Sequence, residues 1–247
     1  MSAARQELIP AYVIHSRAYR DTSLIIEVFT PTHGRVSLLV RGAKSGKVQK
    51  ALILQPFRKL HISWAGRGEL PVLAAVEEVG EFIRLQGASL ACGYYINELI
   101  YYLLPRHEPA PELFVQYWPV VEAISNEITR DSALRQFEFA LLDQTGYSPL
   151  LSHEKNGSAE VDSAVNYYYQ VPDGPVRAEN SESKGVPVSG QTLLELSSMN
   201  FTSLTNNKEA RDLSRALIHY HLNGRELLSR SLFASFNALN PAGKSSD

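Results

Sequence analysis

An α+β fold is predicted, in which a five-stranded N-terminal barrel of the OB type precedes an all-α domain carrying a small loop- and strand-rich insertion. Three observations in the 247-residue sequence predict it. Short β-rich runs separated by Gly, Pro and polar clusters fill residues 11–78. The apolar period lengthens to that of helices after Gly80, and Ser, Gly, Asn and Pro dominate residues 147–190.

The strand runs are residues 11–15, 23–30, 35–41, 51–63 and 70–78. Thr32-His33-Gly34 makes a tight connection between the second and third. Gln55-Pro56 breaks the fourth, and Trp64-Ala-Gly-Arg-Gly-Glu69 is a glycine turn before the fifth. Five short strands in so short a span suit a small barrel whose strand face and loops take oligonucleotides. Beyond Gly80, residues 88–104 are mostly apolar, with only Asn97 and Glu98 strongly polar, and read as a buried central helix ending at Pro105. Residues 112–127 and 132–145 are two further helices, the second closed by Gly146. Residues 147–190 are expected to be poorly packed, with one strand-like run at 165–171. Helical signals return at 190–199, 206–222 and 224–236, the last with Leu227, Leu228, Leu232, Phe233 and Phe236 on one apolar stripe. The expected organisation is a barrel at 1–80, a helical domain at 81–146 and 191–238 interrupted by the insertion at 147–190, and a disordered tail at 239–247.

With 44% apolar residues the chain can bury a real core. No run of 18 apolar residues occurs, and Met-Ser-Ala-Ala-Arg-Gln-Glu lacks the apolar region of a signal peptide, so a cytoplasmic location is expected. A single cysteine, Cys92, excludes an internal disulfide and a cysteine-based zinc site; within an apolar helix it reads as a core residue.

The net charge of −2 conceals a division: residues 1–80 hold eleven Lys and Arg against six Asp and Glu, the remainder thirteen against twenty. Between Glu27 and Glu69 there is no acidic residue, while Arg35, Arg41, Lys44, Lys47, Lys50, Arg58, Lys59 and Arg67 lie within. Four of these fall in Arg41-Gly-Ala-Lys44-Ser-Gly-Lys47-Val-Gln-Lys50, a glycine-broken loop between apolar runs. Such a loop is either a solvated hairpin or a contact for a polyanion's backbone. It is not a nucleotide loop: three residues rather than four separate its glycines, and Val48 stands where a magnesium-binding hydroxyl would be needed. Among the barrel's aromatic residues Phe29 and Phe57 belong to the core by their apolar setting, whereas Tyr19 and Trp64 flank polar turns and offer faces for stacking on bases.

Catalysis has no support in these residues. His219 and His221 are two apart on a helix and diverge; Glu77, Glu78 and Glu81 read as a solvated strand end; no nucleophile elbow or Gly-x-Gly-x-x-Gly run is present.

The landmarks Val13-Ile-His-Ser-Arg17, Thr22-Ser-Leu24, Gly34-Arg35-Val36, Arg41-Gly-Ala-Lys44 and Leu54-Gln-Pro-Phe57 resemble the bacterial RecO family of recombination mediators. Gly66-Arg-Gly-Glu69, Tyr95-Ile-Asn-Glu-Leu99, Ala133-Leu-Arg-Gln-Phe-Glu138, Gly146-Tyr147 and Ser229-Arg-Ser-Leu-Phe233 continue the resemblance in order to near the end of the chain. The resemblance implies a non-enzymatic, nucleoid-associated protein that binds single- and double-stranded DNA and anneals complementary strands. It also implies help in loading RecA onto DNA coated by the single-stranded-DNA-binding protein, SSB. RecR and the SSB C-terminal tail are the implied partners, RecF at most an indirect one, and no membrane is involved. Family members often carry zinc-binding cysteines in the insertion; residues 147–190 have none, so no zinc or other cofactor is expected.

On this reading the DNA contacts are Arg17, Arg35, Arg41, Lys44, Lys47, Lys50 and Arg67, with Tyr19 and Trp64 for stacking. Arg135, beside Phe137, Phe139 and Leu142, is either a solvated helix charge or, with Arg130, the receiver of the SSB tail's carboxylate. The alternative function is a protein-interaction adaptor that docks on the SSB tail and touches DNA only incidentally.

Overall fold

The computed structural model describes residues 7–43, 50–66, 68–80, 82–157, 159–180, 184–199, 201 and 207–239. The chain divides into two compact units, Met1–Glu122 with Leu228–Asp247, and Ala123–Leu227.

In the first unit β1 (Ile9–Tyr19), β2 (Ser23–Thr30), β3 (Gly34–Val40), β4 (Leu60–Ala65) and β5 (Val72–Glu78) close into a barrel in the order β1-β2-β3-β5-β4. Closure runs from β4 back to β1 through Ile62 and Ile9, and β3 meets β5 in parallel at Leu39 and Val72. This is the OB-type barrel the strand count predicts. Its interior is filled by Val13, Ile26, Val28, Val36, Leu38 and Ile62, among others, all nearly inaccessible to water. The stretch expected as one strand over 51–63 is different. Lys50–Ile53 forms a short helix, α1, and the strand begins only at Leu60. The run Ala51-Leu-Ile-Leu is too short for its period to separate helix from strand.

On the outer face of the barrel Tyr12 and Phe29 are cross-strand partners and meet the rings of α3 (Pro111–Ile124). Tyr12 lies 4.7 Å from Phe114 and 4.4 Å from Tyr117, and Phe29 lies 5.3 Å from Phe114. Tyr117 is fully buried and donates its hydroxyl to Asn97 Oδ1 at 2.8 Å on α2 (Gly87–Leu103). Burial, seconded by the Glu122 charge, pushes the Tyr12 phenol up to about 12. Cys92 is buried on α2, as its setting predicts.

The first orphan N–H groups of α7 (Leu228–Leu239) are satisfied from α2: the Glu98 carboxylate accepts from Leu228 N at 2.9 Å and Ser229 N at 2.8 Å. The stripe expected on this helix is not one buried face, since Leu227 is buried while Leu228 is 74% and Phe233 37% exposed.

The turn between β2 and β3 depends on Gly34, whose φ is +57°. A Cβ there would stand 1.9 Å from the Glu108 carbonyl oxygen, where the chain after α2 packs against the turn and His107 N donates to Arg35 O at 3.1 Å. Gly34→Ala therefore meets both positive φ and a backbone clash. It is expected to lower stability by roughly 2–4 kcal/mol, read from the urea midpoint.

In the second unit α4 (Glu127–Gln144) ends in a Schellman motif: Tyr147 N donates to Leu142 O and Gly146 N to Asp143 O, with Gly146 at φ +76°. Residues 147–190, expected to be poorly packed, instead carry a three-stranded antiparallel sheet in the order β7-β6-β8. Its strands are β6 (Asn166–Gln170), β7 (Gly174–Arg177) and β8 (Val186–Ser189). Tyr167, Tyr169 and Val188 from this sheet share one core with Phe139 and Leu142 of α4, Leu193 and Leu196 of α5 (Gly190–Ser197) and Leu213 and Leu217 of α6 (Lys208–His221). Two buried tyrosines on one strand face give this small sheet an apolar core.

The N-termini of α5 and α6 are tied together by Glu209, whose carboxylate accepts from Ser189 N at 3.0 Å, Ser189 Oγ at 2.7 Å and Thr192 Oγ1 at 2.8 Å. Burial alone would raise this carboxyl; the bonds from Ser189 and Thr192 together outweigh it and hold it below its usual range. The tail at 240–247 lies outside the described residues.

Candidate nucleic-acid interface

Strand register decides which cations share a surface. Tyr19 pairs with Ser23, and Leu24 pairs with both Ala18 and Val40, so the β1–β2 turn and the end of β3 lie at the same end of the barrel. That end carries Arg17, Tyr19, Arg20 and Arg41. A bulge between Val13 and His15 ends the buried part of β1, and His15, Ser16, Arg17 and Ala18 are all exposed. Arg20, held at φ +52° in the turn, lies over the half-exposed Tyr19 ring at 5.3 Å.

From this end the cationic loop departs and returns. Arg41 is exposed, Gly42 takes φ +61°, Ala43 is fully buried, and Ala51 N donates to Ala43 O at 3.2 Å, closing the loop at its base. Lys50, half-exposed, opens α1 on the returning side. Lys44, Lys47 and Arg67 lie outside the described residues.

The cations divide by what they already touch. Arg17 and Arg41 are exposed and make no ion pair among the described residues. Arg35, expected at DNA, is placed otherwise: its side chain is 12% exposed, its Nε donates to Leu104 O at 3.1 Å, its head lies over the Tyr101 ring at 5.0 Å, and it pairs with Glu27. Glu27 is itself 4% exposed and also accepts from Arg106 at 2.8 Å and from Ser37 Oγ at 2.5 Å. Burial draws the Arg35 guanidinium below its usual range, against the pull of Glu27. Arg35 is thus the counter-ion of a buried carboxylate. Because Glu27 does not face solvent, the stretch without a solvent-facing acid begins after Asp21 and not after Glu27.

Trp64 is likewise corrected. It is 8% exposed and belongs to the barrel's interior, with His33 edge-on at 5.2 Å, so its ring is not offered to bases. Phe29 and Phe57 are buried as expected, and Glu78 is held by Arg58. Glu81 lies outside the described residues.

The two arginines expected to receive a carboxylate are committed within the second unit. Arg130 donates its Nε to Ile124 O at 3.1 Å, a cation closing the end of the preceding helix. Arg135 is 6% exposed and grips Glu138 with two contacts, Nε to Oε2 at 2.5 Å and a second nitrogen to Oε1 at 2.6 Å; Ser214 Oγ donates to the same carboxylate. Neither presents a free head to a partner.

Exposed Arg20 and Arg84 join the cations of the barrel unit. Arg20 was legible, since it stands beside Tyr19 in the polar turn; Arg84 falls between the strand pattern and α2, where no period marks it.

A closed five-stranded OB-type barrel with a cationic loop clipped to one end, followed by a helical part, defines the class of protein. Comparison with known families narrows it. The model described as Recombination protein O N terminal matches residues 1–82, and that described as Recombination protein O C terminal matches residues 84–231. The chain belongs to the RecO family of DNA repair proteins. It is 42% identical over 225 residues to the DNA repair protein RecO of Methylococcus capsulatus, covering 91% of this chain and 92% of that one. It is 39% identical to that of Nitrosococcus oceani over 95% and 96% of the two chains, and 38% identical to that of Dechloromonas aromatica over 93% and 96%. No helix among the described residues is long and apolar enough to cross a membrane.

Proposed function

We propose that this chain is a non-enzymatic mediator of DNA repair and recombination that acts in the cytoplasm. It binds single- and double-stranded DNA through the cationic end of its barrel, anneals complementary strands, and promotes RecA loading on SSB-coated single strands together with RecR. The observation that carries the reading is the division of the cations. Exposed Arg17 and Arg41 flank the root of a loop that brings Lys44, Lys47 and Lys50, while the buried arginines are consumed by internal carboxylates and carbonyls. Lys and Arg held in this way release counterions from any phosphate backbone, without reading its sequence. They also reduce repulsion between two strands, which is a route to annealing that needs no nucleotide hydrolysis.

The DNA contacts offered are Arg17, Arg41, Lys44, Lys47, Lys50 and Arg67, with Tyr19 for stacking and Arg20 added. The SSB tail and RecR remain partners in this reading on the strength of the family resemblance, with Arg130 and Arg135 withdrawn as the tail's ligands. The adaptor alternative relied on those two residues and gains no observation of its own.

Annealing of complementary oligonucleotides by the isolated protein, followed by fluorescence transfer between end labels, tests the reading. Annealing without SSB is the expected result; annealing that requires SSB would favour the adaptor.

A further inference from the structure

A cleft of about 600 Å³ opens in the first unit beside the base of the cationic loop. Ser16 and Leu24 from β1 and β2 form one wall, and Ala51 and Leu54, which follow the loop directly, form another. The far wall carries Phe82, Arg84 and Tyr94.

Three features of this cleft are unlike an ordinary packing defect. Its volume lies in the range of roughly 300–1,000 Å³ that holds small-molecule ligands. Its aromatic rings keep open surface, Phe82 being 45% and Tyr94 38% exposed, while Arg58 covers one face of Phe82 and Phe57 meets Tyr94 at 5.6 Å. Its charge is of one sign: the described lining residues include Arg58 and Arg84 and no carboxylate. Arg58 is occupied, bonded to Glu78 and lying over the Phe82 ring at 4.5 Å, whereas Arg84 is exposed and makes no hydrogen bond or ion pair among the described residues.

We infer that this cleft holds one unstacked nucleotide of a bound single strand, its base against Phe82 and Tyr94 and its phosphate on Arg84. The inference rests on the DNA-binding reading above and goes beyond it by giving that reading a preference for unpaired bases. Ala51, which lines the cleft, follows Lys50 directly, so a strand held at Lys50 passes the mouth; Arg17 lies on the opposite face of β1 from Ser16. Every base has a face that stacks on an aromatic ring, so occupancy is independent of sequence. A duplex keeps its bases stacked within and has none to offer.

The experiment uses the full chain, with Phe82→Ala and Arg84→Ala made separately. Both side chains are exposed, and an unchanged far-UV circular dichroism spectrum and urea midpoint check folding. Affinities for a thymine oligonucleotide and for a duplex of equal length are measured across a salt series. Phe82→Ala is expected to weaken single-strand binding about fivefold or more while duplex binding stays within about twofold. Arg84→Ala is expected to lower the single-strand log–log salt slope by roughly 0.7. Equal losses on both DNAs, or no loss on the single strand, would overturn the inference. In the second case, loss of binding to an acidic peptide by the same variants would assign the cleft to a protein partner. An unsubstituted protein that binds neither DNA would instead sink the DNA-binding reading itself.

Discussion

Glu138→Ala is expected to destabilise the second unit by about 3–5 kcal/mol, one of the two largest effects foreseen for this chain. Glu138 is 1% and Arg135 6% exposed, and the pair is joined by two contacts with Ser214 as a third partner. Removing the carboxylate leaves a guanidinium buried without a counter-charge, so the cost is that of the orphaned charge and not merely of a lost attraction. The double substitution Arg135→Leu with Glu138→Leu removes both charges and is expected to cost far less than the single one. Urea unfolding of the two variants separates these cases. A loss below about 1 kcal/mol for Glu138→Ala would mean that Arg135 reaches water easily, and would restore it as a candidate for binding a partner's carboxylate.

Lys44→Glu combined with Lys47→Glu is expected to weaken binding to single- and double-stranded DNA alike, by about tenfold or more at moderate salt. Each phosphate contact on a single strand contributes roughly 0.7 to the magnitude of the log–log salt slope, so losing two lowers it by roughly 1.4. The loop's base is fixed by the buried Ala43 and its bond to Ala51, so the change falls on charge rather than on the barrel. Titration of labelled oligonucleotides over a salt series gives both numbers. Unchanged affinity and slope would show that the loop is only a solvated hairpin.

The barrel and its closing helices were legible in the sequence because their signals are local: strand period, Gly34 and Gly146 at turns, and a long apolar helix containing Cys92. Four things were not. Residues 51–53 form a helix where a strand was expected, since a short apolar run has no period of its own. The strand-like run at 165–171 is β6, but the sheet it joins was not legible, because β7 and β8 lie in polar, glycine-broken sequence and the burial of Tyr167 and Tyr169 depends on their flanking it. The roles of Arg35 and Arg135 were misread because burial is a tertiary property. A sequence signal existed for the second: Arg135 and Glu138 are three apart in a mostly apolar helical stretch, the spacing of an intrahelical ion pair. Trp64 was misplaced for the opposite reason, its polar neighbours lying at the end of a strand whose inner face it shares.

The single hydrogen bond from Ala51 to Ala43 separates two properties that are usually entangled. A loop clipped at its base can gain or lose residues with little effect on what lies beneath, since each doubling of length costs only about 0.6 kcal/mol in closure entropy. Charge on the loop is therefore a variable that lineages can adjust by insertion, deletion or substitution while the barrel stays constant. Related chains that work at different ionic strengths are expected to differ most between these two alanines.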